Sequence, residues 1–429
     1  MIQIIKNNKL YSNSLIFLIG SGLGGVAGYV YNFLMARMLG QVGYGELQSI
    51  LALTSILGIP LATLSTVIIK YAASIGFGNE DKWAKLFYLL KSLTLKLLAS
   101  GFVFFIVFLA LSNFLAGFLK LTSVVPLIII ALAMVIAFLN TVNNGLLQGL
   151  QKFKELAVIG LASMAVKIMA GYFLVKFAFY VSGALGALVL SGIIGYILSW
   201  LPLRFLINYG KKSAQAVPVL AKLEMIKYSL PVFLTLFFTT LLINIDLILV
   251  KHFFDPADAG QYAALAVIGR IIFFVIGPLV AVMFPMSAAA HAHQGDHGKI
   301  LKNSACIALI VGMIGLAIYF LLPDLIVKII VGSQFLAIAP YLGWFGLAML
   351  FYSLVYLISQ YLLAINQTKF IWLLAGAGVL QLVLILIWHL SIWQIVWIMD
   401  GVMGLCLILL IIYYVYARGK DNFSHRASV

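Results

Sequence analysis

Charge is scarce in this chain. Only 9% of its 429 residues are charged, and 12 acidic residues stand against 27 basic ones. A soluble globule of this length needs far more polar surface to face water, so a soluble fold is excluded. Cysteine is nearly absent as well. Cys306 and Cys406 both lie in apolar stretches, so no disulfide framework is implied and no metal site is built on thiolates. No glycine-rich phosphate loop is present, which removes direct ATP hydrolysis, and nothing in the pattern requires a cofactor. The formal charge of +15 is spread over many loops instead of forming a long basic run, so it does not read as a nucleic-acid surface.

Apolar residues are plentiful. Hydrophobic types make up 64% of the sequence and the mean hydropathy is +1.14. The apolar runs are about 20 residues or longer, the length that crosses a bilayer as a helix, and they lack the every-second-residue alternation of a barrel strand. The reading is an all-α integral membrane protein of twelve transmembrane helices, at 12–36, 45–73, 86–112, 123–148, 155–178, 182–207, 228–250, 260–288, 300–321, 338–364, 368–389 and 393–416. The first run follows Lys6 and Lys9 and is too long for a signal-peptide core, so it is expected to be retained. With the N-terminus inside, twenty basic residues fall on the cytoplasmic side and five (Arg37, Lys120, Lys176, Lys251, Lys328) outside, leaving Lys167 and Arg270 at membrane depth. That asymmetry places both termini in the cytoplasm.

Three echoes divide the chain in two. Gly45 in the first hairpin superposes on Gly260 at an offset of 215, Tyr11-Ser12 recurs as Tyr228-Ser229 at 217, and Leu146-Leu147-Gln148-Gly149-Leu150-Gln151 recurs as Leu362-Leu363-Ala364-Ile365-Asn366-Gln367 at 216. A duplicated unit of roughly half the chain follows. Residues 1–207 form one six-helix bundle, 208–227 a cytoplasmic linker and 228–429 a second bundle with a short tail. An even number of helices per bundle makes the repeats parallel, with a central cleft between them as the natural ligand site.

The hairpin Leu34-Met35-Ala36-Arg37-Met38-Leu39-Gly40, followed by Gly43-Tyr44-Gly45, resembles the corresponding element of bacterial polysaccharide flippases of the Wzx type, in the multidrug/oligosaccharidyl-lipid/polysaccharide exporter superfamily. Lys70, the Leu146–Lys152 end of helix 4 and Ile245-Asp246 with Gly260-Gln261-Tyr262 resemble further elements of that family; His252 and Ala259 depart from its pattern. The resemblance implies translocation of an undecaprenyl-diphosphate-linked oligosaccharide from the inner to the outer leaflet of the bacterial cytoplasmic membrane, by alternating access. It implies a lipid-linked oligosaccharide and membrane lipids as partners, with a polysaccharide polymerase and glycosyltransferases acting nearby.

The candidate site residues follow from depth and spacing. Lys167, near the middle of helix 5, carries an insertion cost of roughly 2.5 to 3.5 kcal/mol if unpaired; it reads equally as a cationic wall for a diphosphate or as a snorkelling or packing lysine. Asn140, Thr141, Asn143 and Asn144, with Gln148 a turn further on, put amides on a helix face. They are read as lining a sugar-bearing cleft, with interhelical hydrogen bonding as the alternative. Asp246 and Arg270 lie at depths on adjoining helices that let them pair near the outer end of the cleft, as a structural bridge or with Arg270 contacting the diphosphate and Asp246 restraining it, and Lys70 could receive the diphosphate or simply meet headgroups. Trp388, Trp393 and Trp397 read as an interfacial belt, His291, His293 and His297 as a solvated loop without a metal, and Pro60 and Pro278 as kinks in equivalent helices.

Two other functions compete. A multidrug or small-cation exporter of the same superfamily normally needs embedded acids in its first half, and here Glu46, Glu80, Asp81 and Glu155 all sit at helix ends or in loops. A membrane enzyme of polysaccharide synthesis is expected to carry a large outer loop or paired catalytic groups, and the outer loops are short. A peptidoglycan-precursor flippase is expected to add two C-terminal helices beyond the twelfth.

Overall fold

The computed structural model describes residues 9–76, 82–209, 223–293 and 295–427, and these are helical almost throughout, with no strand among them. Most of the expected linker, and with it Lys211, Lys212 and Lys222, lies outside the described residues, as do Lys6, Glu80 and Asp81. The chain divides into two compact units, Met1–Leu230 and Pro231–Val429.

In the first unit, the helical stretch Lys9–Leu57 is interrupted at Gly40, whose φ of 68° and ψ of −174° belong to no helix. Only glycine reaches that conformation without a Cβ penalty, so α1 (9–39) ends there and α2 (41–57, continuing as Ile59–Gly76) begins. The break inside α2 falls at Gly58, two residues before Pro60, whose ring cannot donate the next backbone bond. After α2 come α3 (Lys82–Phe118), α4 (Val125–Gly149), α5 (Phe153–Leu174) and α6 (Tyr180–Trp200). The turn from α5 to α6 is made by the wide helical turn Val175–Phe179, with Ala178 and Tyr180 at positive φ.

Leu86, Leu89, Leu90, Leu93 and Leu97 on one face of α3 pack with Ile68 and Ala72 of α2 and with Val142, Leu146 and Leu147 of α4. The other face of α3 exposes Leu95, Phe102, Val103, Ile106 and Phe114. A long helix that leaves such a row of large apolar side chains uncovered by protein is one that lipid covers. Gly149 lets α4 touch α2: a Cβ there would stand 2.5 Å from Ala72 Cβ and 2.7 Å from the Ile69 carbonyl oxygen. At the α4–α5 turn Lys152 donates to the Pro202 carbonyl at 2.7 Å and lies over the Phe205 ring, so this basic residue fastens the end of α6.

The second unit contains α7 (Leu223–Phe253, begun before the unit boundary), α8 (Pro256–Gly269, continuing as Ile271–Ala292), α9 (His297–Leu321), α10 (Ala339–Ala364), α11 (Ile371–Ile387) and α12 (Ile392–Ala427). Between α9 and α10 lie a short amphipathic helix, Pro323–Ile330, and the tight turn Ser333–Ile338, neither of which the sequence pattern showed. α10 is the buried centre of this unit. It holds α7 through Tyr352, whose hydroxyl donates to the Thr239 carbonyl at 3.0 Å, and α11 holds α7 through Gln381, which donates to the Leu242 carbonyl at 3.1 Å.

Among the described residues, eight helical segments are long and apolar enough to cross a membrane on their own, and the bent first pair makes a ninth. Division of that pair at Gly40 and of Phe153–Trp200 at its α5–α6 turn, together with the shorter α11, yields the twelve expected helices. The kink expected at Pro278 is absent as a break, because α8 runs on through it and is interrupted instead at Arg270. The two units share one detail beyond helix count. The offset that superposes Gly45 on Gly260 also superposes Glu46 on Gln261, and both reach from the second helix of their unit to the segment ahead of its fourth. Glu46 accepts from the Thr122 backbone N–H at 2.9 Å, and Gln261 donates to the Gln334 carbonyl at 3.0 Å.

Candidate functional site

The first unit contains an open-mouthed cavity of about 670 Å³ with walls from α1, α2, α4, α5 and α6. Asn140, Asn144 and Gln148 lie four residues apart along α4 and all three line it. Asn140 donates to the Gly192 carbonyl of α6 at 3.0 Å. Asn144 and Gln148 make no hydrogen bond to any described residue, so their amides are free for a ligand. Asn143 points elsewhere: fully buried, it donates to Ser199 Oγ at 2.7 Å and clamps α4 to α6. Thr141 spends its hydroxyl on the Ala137 carbonyl of its own helix. Among the described residues that line the cavity none carries a charged side chain.

Lys167 stands one turn beyond Ser163, a cavity residue on the same face of α5. Its Nζ lies 4.2 Å from the centre of the Tyr31 ring, and Tyr31 is wholly buried on α1 with its hydroxyl donated to the Ala184 carbonyl at 2.7 Å. The ammonium is therefore turned into the unit and does not snorkel towards headgroups. A contact of this kind is worth about 0.5–2 kcal/mol, which falls short of the roughly 2.5–3.5 kcal/mol insertion cost. Lys70, exposed at the end of α2, does not line the cavity.

In the second unit Asp246 and Arg270 pair at 3.6 Å, with side chains 0% and 16% exposed. Tyr262 completes the arrangement: its hydroxyl donates to the second Asp246 oxygen at 2.7 Å, and the Arg270 guanidinium also donates to the Ile243 carbonyl. Arg270 lies at the junction of the two stretches of α8, itself with helical φ of −67° and ψ of −8°.

A sequence model for a family described as polysaccharide biosynthesis protein matches residues 10–291, well over half of the chain. The chain belongs to that family. The match spans the cavity, Lys167 and the Asp246–Arg270 pair. No curated protein matches the chain. Among solved structures, an inward-facing multidrug resistance MATE family transporter of the MOP superfamily aligns with a TM-score of 0.76 at 14% identity, over 94% of this chain and 96% of that one. The lipid II flippase MurJ, in an inward closed conformation, aligns at 0.69 and 16% identity, over 94% and 87%. An outward-facing MATE transporter aligns at 0.63 and 16%, over 94% of each. At such identities the likeness establishes the fold: this polysaccharide biosynthesis protein is a multi-pass membrane protein with the fold of the MOP-superfamily exporters.

Several residues of this family member were not legible as site residues. Tyr31 drew no notice in the sequence and Tyr262 only as part of the Gly260-Gln261-Tyr262 element, and it is their partners that give them a role. Asp400 on α12 carries a carboxyl oxygen, Oδ1, with no hydrogen-bond partner; a lone acid within an apolar run was the signal available. Lys251, expected in an outer loop, is 1% exposed because α7 continues to Phe253. At the end of α8 the His291 and His297 rings lie 5.2 Å apart, and His297 Nδ1 meets the Tyr361 hydroxyl at 2.6 Å, so His297 is tied to α10 and is not a solvated loop residue. Trp393 packs against Tyr341 at 4.6 Å, while Trp388 and Trp397 remain exposed, as residues of an interfacial belt would be.

Proposed function

We propose that this protein flips an undecaprenyl-diphosphate-linked oligosaccharide from the inner to the outer leaflet of the bacterial cytoplasmic membrane, by alternating access, with both termini in the cytoplasm. The observation that carries the reading is Lys167: a cation at membrane depth, turned into its unit, whose aromatic contact is too weak to account for it. The second unit ties its fifth helix to its first at a corresponding level with a neutral side chain, Gln381. A charge is thus not needed for that packing, and an anionic substrate supplies the missing stabilisation. The diphosphate is such an anion. The family's description supports a role in polysaccharide synthesis, in which glycosyltransferases would supply the substrate and a polymerase would consume it.

A cation-coupled multidrug exporter is the competing reading, and the absence of any carboxylate among the described residues of the cavity lining weighs against it. The two are separated in cells that assemble the glycan. Deletion of the gene is expected to leave the lipid-linked oligosaccharide in the inner leaflet and to abolish surface glycan, and the wild-type chain to restore it. Normal surface glycan in the deletion strain, with altered drug sensitivity, would favour the exporter.

A further inference from the structure

We infer that the cavity of the first unit is a subsite for an uncharged sugar residue and discriminates against acidic sugars; the inference rests on the flippase reading and names what part of the substrate the cavity takes. Its volume, about 670 Å³, lies within the roughly 300–1,000 Å³ of small-molecule sites. One wall bears hydrogen-bonding groups with capacity to spare. Asn144 and Gln148 each keep a donor and an acceptor, Ser163 keeps its hydroxyl, and Asn140 keeps its carbonyl after donating to Gly192. Paired amide donors and acceptors suit the vicinal hydroxyls of a sugar, which donate and accept in the same way.

Two glycines leave parts of the lining bare. Gly24 of α1 and Gly160 of α5 line the cavity, and a Cβ built on either meets nothing within 4 Å. The empty space at these two glycines is therefore cavity and not a packing contact, and the bare backbone offers a flat surface to the C–H face of a sugar ring. Gly20, Gly192 and Gly195 differ, since a Cβ there would crowd Ala157, Ile136 or Ser163. With no lysine, arginine or histidine among the described residues of the lining, a carboxylate placed inside would lose part of its water and gain no counter-charge. The phosphates would then be held outside the cavity, where Lys167 lies one turn further along α5.

The full chain in proteoliposomes provides the test. Wild-type protein is expected to flip undecaprenyl diphosphate bearing an N-acetylglucosamine disaccharide roughly tenfold or more faster than the same lipid bearing glucuronic acid. Gly24→Leu and Gly160→Leu should reduce the neutral substrate's rate to a similar extent at unchanged abundance and thermal stability, because leucine favours a helix over glycine and the space is empty. Gly22→Leu, also without neighbours but outside the lining, should retain the wild-type rate. Equal rates for the two substrates, or full rates in both leucine variants, would overturn the subsite. Should wild type flip neither lipid, the flippase reading itself fails. Saturation-transfer NMR on wild type then decides the cavity separately: contact with the N-acetylglucosamine disaccharide, lost in Gly160→Leu and absent with glucuronate, upholds it, and no contact ends it.

Discussion

Removal of Asp246 should destabilise the second unit by an amount that its surroundings fix within limits. The carboxylate is fully buried, lies 3.6 Å from a guanidinium that is itself 16% exposed, and accepts the Tyr262 hydroxyl at 2.7 Å. Alanine there leaves an arginine charge inside the protein without its counter-ion, for which the typical penalty is about 3–5 kcal/mol. Tyr262→Phe removes only the short hydrogen bond to a charged acceptor, worth about 1.5–3 kcal/mol. The order of stability expected from unfolding of the purified protein in detergent is therefore wild type, then Tyr262→Phe, then Asp246→Ala. In the double variant Asp246→Asn with Arg270→Gln neither charge remains, and stability should return to near wild type. Its transport should not return, on the proposal that Arg270 contacts the diphosphate and that Asp246 restrains it. Wild-type stability in Asp246→Ala would refute the energetic argument, and wild-type export in the double variant would remove Arg270 from the substrate path.

Lys167→Ala should sharply lower glycan export at normal abundance, since among the described residues Nζ has only the Tyr31 ring as a partner, and Lys167→Arg should recover part of it; full export in the alanine variant, measured as surface glycan per cell, would assign the lysine to packing. Asn143→Ala should lower stability by about 1–3 kcal/mol through the orphaned Ser199 contact, whereas Asn144→Ala, one residue on, should leave unfolding unchanged and slow transport. A cysteine in place of Lys212 should resist an impermeant thiol reagent in intact cells, and its labelling would reverse the proposed orientation.

How much of this was legible varies with the strength of the constraint behind each feature. The bilayer imposes apolar runs of a set length, so twelve helices could be counted, and the positive-φ turn needed at Gly40 marked the first hairpin. The amide stripe of α4 was visible as a pattern, but its division was not. One residue turns a helix by about 100°, which takes Asn143 into the α4–α6 contact while Asn144 and Gln148 face the cavity. Which way each faces depends on neighbours far away in sequence. Depth alone brought Asp246 and Arg270 within reach of each other, yet it could not show that Tyr262 would share the carboxylate. The helix Pro323–Ile330 was missed because its two turns are too short for an apolar run, and Lys251 was misplaced because polarity was taken to mark a helix end that lies further on.

The central claim is translocation of a lipid-linked glycan, and the most direct measurement is made on the purified chain in sealed proteoliposomes that contain undecaprenyl-diphosphate-linked oligosaccharide. The fraction of glycan accessible to an added impermeant glycosyltransferase should rise with time in vesicles holding wild-type protein, and much more slowly in those holding the Lys167→Ala variant. Accessibility that stays at the level of protein-free vesicles, for a chain shown to be folded and inserted, would contradict the account.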